Sequence, residues 1–264
     1  MRILLTGANG YIGMRLLPVL VEAGHEVTCV VRDRNRFQPG EDLLRQVEVI
    51  EFDFLQPENA LQHFNKKVYD VAYYLIHSLG DTSTTLKEYE LRSVGCFILV
   101  SSLCQVRQIV YLGGISNVPK LSSHLLARKV VKDVIVNSGI PYTIFEAGII
   151  VGSGSVSFEI IRDLTEKLPV MVVPRWLNSK CQPIAIRNVI NYLFRCLRDE
   201  NTYFRTFEIG GPDVLSYKQM LLDFAEVRGY KRYIIAMPVV FPGLSAYWLY
   251  LTTSANFTIA KQLV

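Results

Sequence analysis

The chain has 264 residues, half of them apolar (50%) and a fifth charged (20%), a length suited to one large α/β domain or a domain with a modest appendage. Its 28 basic and 24 acidic residues leave a net charge of +4, which excludes an intrinsically disordered chain, since that class pairs low hydrophobicity with high net charge. The basic excess is small and contains no long Lys/Arg run, which argues against a nucleic-acid binder.

Mean hydropathy is high, at +0.24, and calls for a source in the fold. Arg2-Ile3-Leu4-Leu5-Thr6 leads straight into a glycine-rich turn, without the basic start, apolar stretch and cleavage site of a secretory signal. The start therefore reads as cytoplasmic. The five cysteines (Cys29, Cys96, Cys104, Cys181, Cys196) include no CxxC pair and the four histidines are scattered, so small buried thiols and no metal site are expected.

In chain order, short apolar runs alternate with longer periodic segments. The runs are Ile3 to Leu5, Val27 to Val31, Val47 to Phe52, Val71 to Ile76, Ile109 to Leu112 and Tyr142 to Phe145. Continuous apolar character is what strands buried on both faces need. Between them, Tyr11 to Ala23, Thr85 to Val106, Ser123 to Ser138 and Phe158 to Lys167 read as helices. The alternation predicts a doubly wound parallel sheet. After Val151, Pro169, Pro174 and Pro183 break the pattern; Arg187 to Arg198 reads as a helix and Phe207 to Ile209 as a strand. Ser216 to Arg228 is a further helix, with Ser216 as its N-cap. The expected division is a Rossmann-type α/β domain over 1–151 and a small substrate-side region over 152–264, interleaved with the sheet.

The strongest motif is Gly7-Ala8-Asn9-Gly10-Tyr11-Ile12-Gly13, between the first strand and the first helix. Glycines at these places allow a tight turn, close approach of backbone to a pyrophosphate and close helix–strand packing. The helix N-terminus then offers N–H groups to the phosphates. An acidic residue about 20 positions beyond the glycines would read the ribose of NAD. Here the second strand delivers Arg32, with Arg34 and Arg36 close behind and Asp33 between them. Guanidinium groups suit a 2′-phosphate, so NADP(H) is favoured over NAD(H). Asp53, after the third strand, stands where the adenine amino group is read.

The ordered set LLTGANGYIG, VVRD, FDFLQPE, DVAYYLIHSLG, IVYLGGIS, PIAIRNV and FEIGGPDVLSYKQM resembles the atypical or extended short-chain dehydrogenase/reductases, in the NAD(P)H-binding, NmrA-like and nucleoside-diphosphate-sugar-epimerase-like group. That resemblance implies a catalytic Ser or Thr at the end of the fifth strand and a Tyr-x-x-x-Lys pair on the next helix. This chain departs from both. The strand runs into Gly113-Gly114, with Ser116 out of register, and the helical pair is His124 and Arg128. These two lie one turn apart on one face. His124 is the candidate acid/base, and Arg128 the candidate anchor for the ribose or an anionic substrate; Lys129 should face elsewhere. Against this stands the bland reading, in which His124 starts the helix and the cations are solvated.

By the same resemblance, Ile76, His77, Ser78 and Gly113 border the nicotinamide side, a loop histidine that caps backbone being the other reading of His77. Glu146 replaces a more usual arginine, and Gly152 to Ser155 would form a substrate-side loop or a plain connector. The readings that follow are an NADP(H)-dependent oxidoreductase acting on a hydroxyl or carbonyl, a non-catalytic NADP-binding sensor or scaffold, and a nucleotide-sugar epimerase or dehydratase.

Tyr233 to Ala260 carries no charge, long enough for the ~20 residues of a spanning helix. Pro238, Pro242 and Gly243 break its first half, and five small polar residues burden the second. A wall for an apolar substrate pocket ranks first, membrane-surface contact second and a span last. Relatives of this type often carry a further C-terminal domain, so the chain reads as a shortened form.

Overall fold

The computed structural model describes residues 1–77, 83–115 and 122–237, which form two compact units. The first comprises Met1–Ala147 and Arg187–Ile209. Its elements begin β1 (Arg2–Thr6), α1 (Gly13–Glu22), β2 (Glu26–Val31), α2 (Glu41–Leu44), β3 (Glu48–Glu51) and α3 (Ala60–Phe64). They continue with β4 (Val71–Tyr74), α4 (Ser83–Leu103), β5 (Gln108–Gly114), α5 (Ser123–Val136) and β6 (Tyr142–Ala147).

The second unit, Gly148–Ile186 and Gly210–Val264, holds β7 (Ile150–Val151), α6 (Val156–Lys167), β8 (Val170–Pro174), β9 (Lys180–Cys181) and β10 (Ile184–Ala185). The chain then returns to the first unit as α7 (Ile186–Arg195) and β11 (Arg205–Ile209). It ends in the second with β12 (Leu215–Ser216), α8 (Tyr217–Val227) and β13 (Tyr233–Met237).

The first unit is a seven-stranded parallel sheet ordered β11-β6-β5-β4-β1-β2-β3, the Rossmann-type α/β fold. Successive strand side chains point to opposite faces. Leu4, Ala72, Tyr74, Ile109, Tyr111 and Ile144 therefore share one face, packed with Val94, Phe97 and Val100 of α4 and with Val131 and Ile135 of α5. Ile3, Leu5, Tyr73 and Val110 are also fully buried, on the opposite face. Every residue of β4, β5 and β6 is buried, and all but the first of β1 and β2, which accounts for much of the high mean hydropathy.

Strand order reverses between β1 and β4, the point at which such sheets bind ligands. Thr6 ties the two strands together there: its hydroxyl donates to the Tyr73 carbonyl at 2.7 Å and accepts from the Leu75 N–H at 3.4 Å.

The second unit is built on three short strand pairs, β7–β10 and β8–β13 parallel and β9–β12 antiparallel. Leu164, Met171, Val173, Leu177 and Leu221 form its core. Prolines bound β8 without destroying it, because among the described residues β8 pairs only with β13 and a proline is tolerated at a strand end. Tyr233 to Met237, the start of the uncharged stretch, is thus a strand; the rest of that stretch lies outside the described residues. No helix among the described residues is long and apolar enough to cross a membrane.

Candidate functional site

The glycine-rich turn leaves β1 at the point of strand reversal. Gly7 has φ +66°, and a Cβ there would overlap the Leu75 carbonyl after β4. Only glycine meets both demands without strain. The turn closes through the Gly10 N–H, which donates to the Gly7 carbonyl at 2.9 Å. A Cβ on Gly13 would overlap the Gly7 carbonyl and the Ala8 backbone, so α1 starts pressed against the turn. No side chain caps this helix, whose N-cap position is Ile12; the Met14 N–H donates to the Gly10 carbonyl at 3.0 Å and the Arg15 N–H to the Ile12 carbonyl at 3.1 Å, and the positive end of the helix dipole suits an anion. Ala8 is buried and Asn9 exposed, while Tyr11 and Ile12 are half-buried.

Arg15 lies in the first turn of α1, its guanidinium 3.9 Å over the Tyr11 ring and donating to the Tyr11 carbonyl at 3.1 Å. A cation at a helix N-terminus opposes the dipole, so it raises the positive potential of the cradle. The sequence reading missed Arg15; its position two residues beyond Gly13 was the available signal.

At the end of β2 the Asp33 carboxylate is turned into its own loop, accepting the Asn35 N–H at 2.9 Å. The Glu51 carboxylate likewise accepts the Arg34 N–H at 3.0 Å. Arg32, Arg34 and Arg36 are exposed and make no ion pair among the described residues. Asp53 is half-buried, and its carboxylate accepts the Leu55 N–H at 3.0 Å.

A second cluster forms beyond β4 and β5. The His77 ring stands 6.4 Å from that of Tyr111 and hydrogen-bonds to the Leu112 backbone. Burial, and then the nearby Arg128 charge, pull the His77 pKa down to about 3, against a smaller upward pull from that hydrogen bond. The imidazole is therefore neutral at pH 7. Tyr74 donates its hydroxyl proton to Ser93 Oγ at 3.1 Å; burial raises both Tyr74 and Tyr111 well above the usual phenol range.

Arg128 lies over Gly114, where an added Cβ would sit 2.8 Å from its Nη1 and 3.0 Å from Leu125. The Tyr111 hydroxyl donates to the Arg128 carbonyl at 3.3 Å, tying this turn of α5 to β5. Gly113 is equally crowded: a Cβ there would stand 3.0 Å from the Tyr111 ring. One turn further along α5, Lys132 pairs with buried Glu146 at 3.0 Å, whereas Lys129 pairs with Asp133 on the exposed side.

His77 thus lies near Arg128 and Leu112, and the glycine turn adjoins Leu75 and Ile76. His124 falls within α5 but its side chain lies outside the described residues, as do Ser78 and Ser116. In the second unit, Ser155 caps α6 by accepting the Phe158 N–H at 3.2 Å, and the Gly154 N–H donates to Glu159 at 2.8 Å. This loop spends its polar groups on starting a helix.

Comparison with known proteins agrees with the cradle. The NAD(P)H-binding family model matches residues 7–176. No curated protein sequence matches the chain. Among solved structures, a nucleoside-diphosphate-sugar epimerase from Staphylococcus aureus superposes with a TM-score of 0.76 at 16% identity, covering 99% of this chain and 88% of that one. The enzyme WbmG from Bordetella bronchiseptica, in complex with NAD, gives 0.75 at 14% identity, with 100% and 93% covered. UDP-glucose 4-epimerase from Thermotoga maritima, with UDP-glucose, gives 0.73 at 14%, with 90% and 86% covered. At these identities the likeness shows the fold. The family model spans both the glycine cradle and the strand ends around it, and the chain belongs to the NAD(P)H-binding family, in line with the resemblance of its motifs to the atypical short-chain dehydrogenase/reductases.

Proposed function

We propose that the chain is an NADP(H)-dependent oxidoreductase that interconverts a hydroxyl and a carbonyl on a small molecule. The observation that carries the cofactor preference is the set of three exposed arginines after β2, Arg32, Arg34 and Arg36, in no ion pair among the described residues. Guanidinium groups suit a 2′-phosphate, which NADP(H) carries and NAD(H) lacks. The cradle fits a dinucleotide on this structure's own terms: without side chains at Gly7 and Gly13 the turn closes against the Leu75 carbonyl and α1 packs against the turn, and no side chain caps α1.

In this reading Gly7 to Gly13 hold the pyrophosphate. Arg32 and Arg34 hold the 2′-phosphate and Asp53 the adenine amino group. Ile76, His77, Ser78 and Gly113 border the nicotinamide. The bound cofactor supplies the hydride donor or acceptor. In alcohol oxidation the carbinol C–H bond breaks with its electron pair leaving as hydride, while His124 takes the hydroxyl proton; reduction reverses both transfers. Arg128 anchors the ribose or substrate. The protein acts in the cytoplasm on a small, apolar-bodied substrate, with membrane-surface contact through 233–260 as a secondary role.

One observation favours a second reading, a non-catalytic NADP-binding sensor or scaffold. Where the resemblance implies a hydroxyl, the chain has Gly113-Gly114, and Arg128 fills the space over Gly114. The same absence weighs against a nucleotide-sugar epimerase.

Titration with NADPH and NADH, then NADPH oxidation against a panel of carbonyl compounds and quinones, separates these readings. The expected result is tighter NADPH binding, and turnover that His124→Ala abolishes while binding is retained. Tight binding without turnover selects the sensor, and failure to bind either dinucleotide overturns both. Changing Arg32 and Arg34 together to Ser should weaken NADPH binding about tenfold or more and leave NADH within twofold, because only the 2′-phosphate contacts are removed.

A further inference from the structure

The end of β5 holds a guanidinium in no ion pair among the described residues, with the Glu90 and Glu146 carboxylates acting alongside it on the Tyr111 phenol. Two cations, Arg128 and Lys132, stand one turn apart on α5. Lys132 is met by the Glu146 carboxylate at 3.0 Å. Arg128, half-buried, makes no ion pair among the described residues, and the imidazole near it, His77, is neutral at pH 7. The arrangement is held in place: Gly114 leaves room for the guanidinium, and the Tyr111 hydroxyl fastens the Arg128 carbonyl. A partly desolvated, positioned guanidinium favours a bidentate oxyanion partner.

Strand order argues against both phosphate groups of the cofactor as that partner. The pyrophosphate turn follows β1, and β4 lies between β1 and β5. Two strand spacings put the β1 and β5 ends roughly 10 Å apart. The arginines assigned to the 2′-phosphate follow β2, one strand further still. The nicotinamide ribose is uncharged and would leave the charge unmatched. Of the two reactants, that leaves the substrate to carry the oxyanion.

We propose that Arg128 forms a substrate subsite for a carboxylate or phosphate group flanking the reacting carbon, with His77 as a hydrogen-bonding neighbour. The proposal rests on the oxidoreductase reading and names its substrate class. The Leu112 carbonyl occupies one His77 ring nitrogen as a donor, which leaves the other as an acceptor. The pair therefore suits a ligand carrying an oxyanion next to a hydroxyl.

The test titrates NADP⁺-saturated protein, and protein without cofactor, calorimetrically with oxalate, inorganic phosphate and the neutral isostere oxamide. One-to-one binding of oxalate or phosphate is expected, with oxamide at least tenfold weaker. Arg128→Met should lower affinity for the anion at least tenfold and leave NADP⁺ within twofold, and Arg128→Lys should fall between; thermal melting checks that each variant is folded. Should Arg128→Met fail to fold, the Arg128→Lys comparison decides alone.

Equal binding of oxalate and oxamide overturns the subsite, as does no anion binding or undiminished binding by Arg128→Met. Parallel loss of NADP⁺ and anion would assign Arg128 to the cofactor and overturn it too. Failure of the unmodified chain to take NADP⁺ overturns the oxidoreductase reading instead, with the anion site still judged on cofactor-free protein.

Discussion

His77 and Gly13 show how single residues couple stability to the site. Burial strips water from the His77 imidazole and Arg128 adds a like charge, so its pKa falls from 6.5 to about 3. Between those values the unfolded chain binds a proton that the folded one excludes. Stability therefore rises with pH through that window and is lost as pH falls. Relative to His77→Asn, the unmodified chain should lose about 2 kcal/mol between pH 7 and pH 5. Urea unfolding at the two pH values measures this, and equal acid losses in the two proteins would remove His77 as the cause. Gly13→Ala should cost about 1–3 kcal/mol through overpacking against the Gly7 carbonyl and the Ala8 backbone. It should also weaken NADPH binding, since the turn and the start of α1 must part. The glycine spacing was legible in the sequence because backbone geometry demands it locally. Arg15, stacked on Tyr11, had only its position two residues beyond Gly13 to mark it, since a lone arginine in a helix has no signature of its own.

At the level of elements, the clearest readings came where local chemistry and burial agree. Ser216 caps α8 as its sequence context implies, accepting the Gln219 N–H at 3.0 Å. Ser216→Ala should lower thermal stability by about 1 kcal/mol and leave NADPH affinity unchanged. The strand between Pro169 and Pro174 was illegible for the opposite reason. Its partner, Tyr233–Met237, lies some sixty residues away, and β8 forms only where the two can pair. Arg232 reinforces that junction by donating through Nη2 to the Glu166 carbonyl at the end of α6 and through Nε to that of Thr165. A guanidinium at a helix C-terminus meets carbonyls left without intrahelical partners.

Across the whole molecule, one buried side chain binds the returning segment to the sheet. Gln108, fully buried in β5, donates to Thr143 Oγ1 at 2.9 Å and to the Cys196 carbonyl at 2.8 Å, and accepts the Arg198 N–H at 2.8 Å. Tyr73 adds a hydroxyl bond to the Leu193 carbonyl at 2.7 Å. Together they join 187–209 to a sheet whose other strands precede residue 148. Gln108→Leu should destabilise the protein by about 2–3 kcal/mol, because buried backbone groups lose their partners. A shift in the urea midpoint without a change in slope is the expected signature. An unchanged midpoint would show that water or a neighbour takes over those bonds.

Periodicity and composition by themselves determined the doubly wound fold, the order of its first elements and the place of the glycine-rich turn. Each follows from constraints that act within a few residues: apolar runs for strands covered on both faces, glycines where backbone must approach backbone, and a serine where a helix begins. Tertiary structure decided what depends on distant partners. It paired β8 with β13, turned the Asp33 carboxylate into its own loop, and set Arg128 over Gly114 near His77. His77 and Arg128 are ordinary letters in the sequence, fifty-one positions apart. Burial and proximity, which exist only once β4, β5 and α5 are packed, make one neutral and leave the other without an ion pair among the described residues.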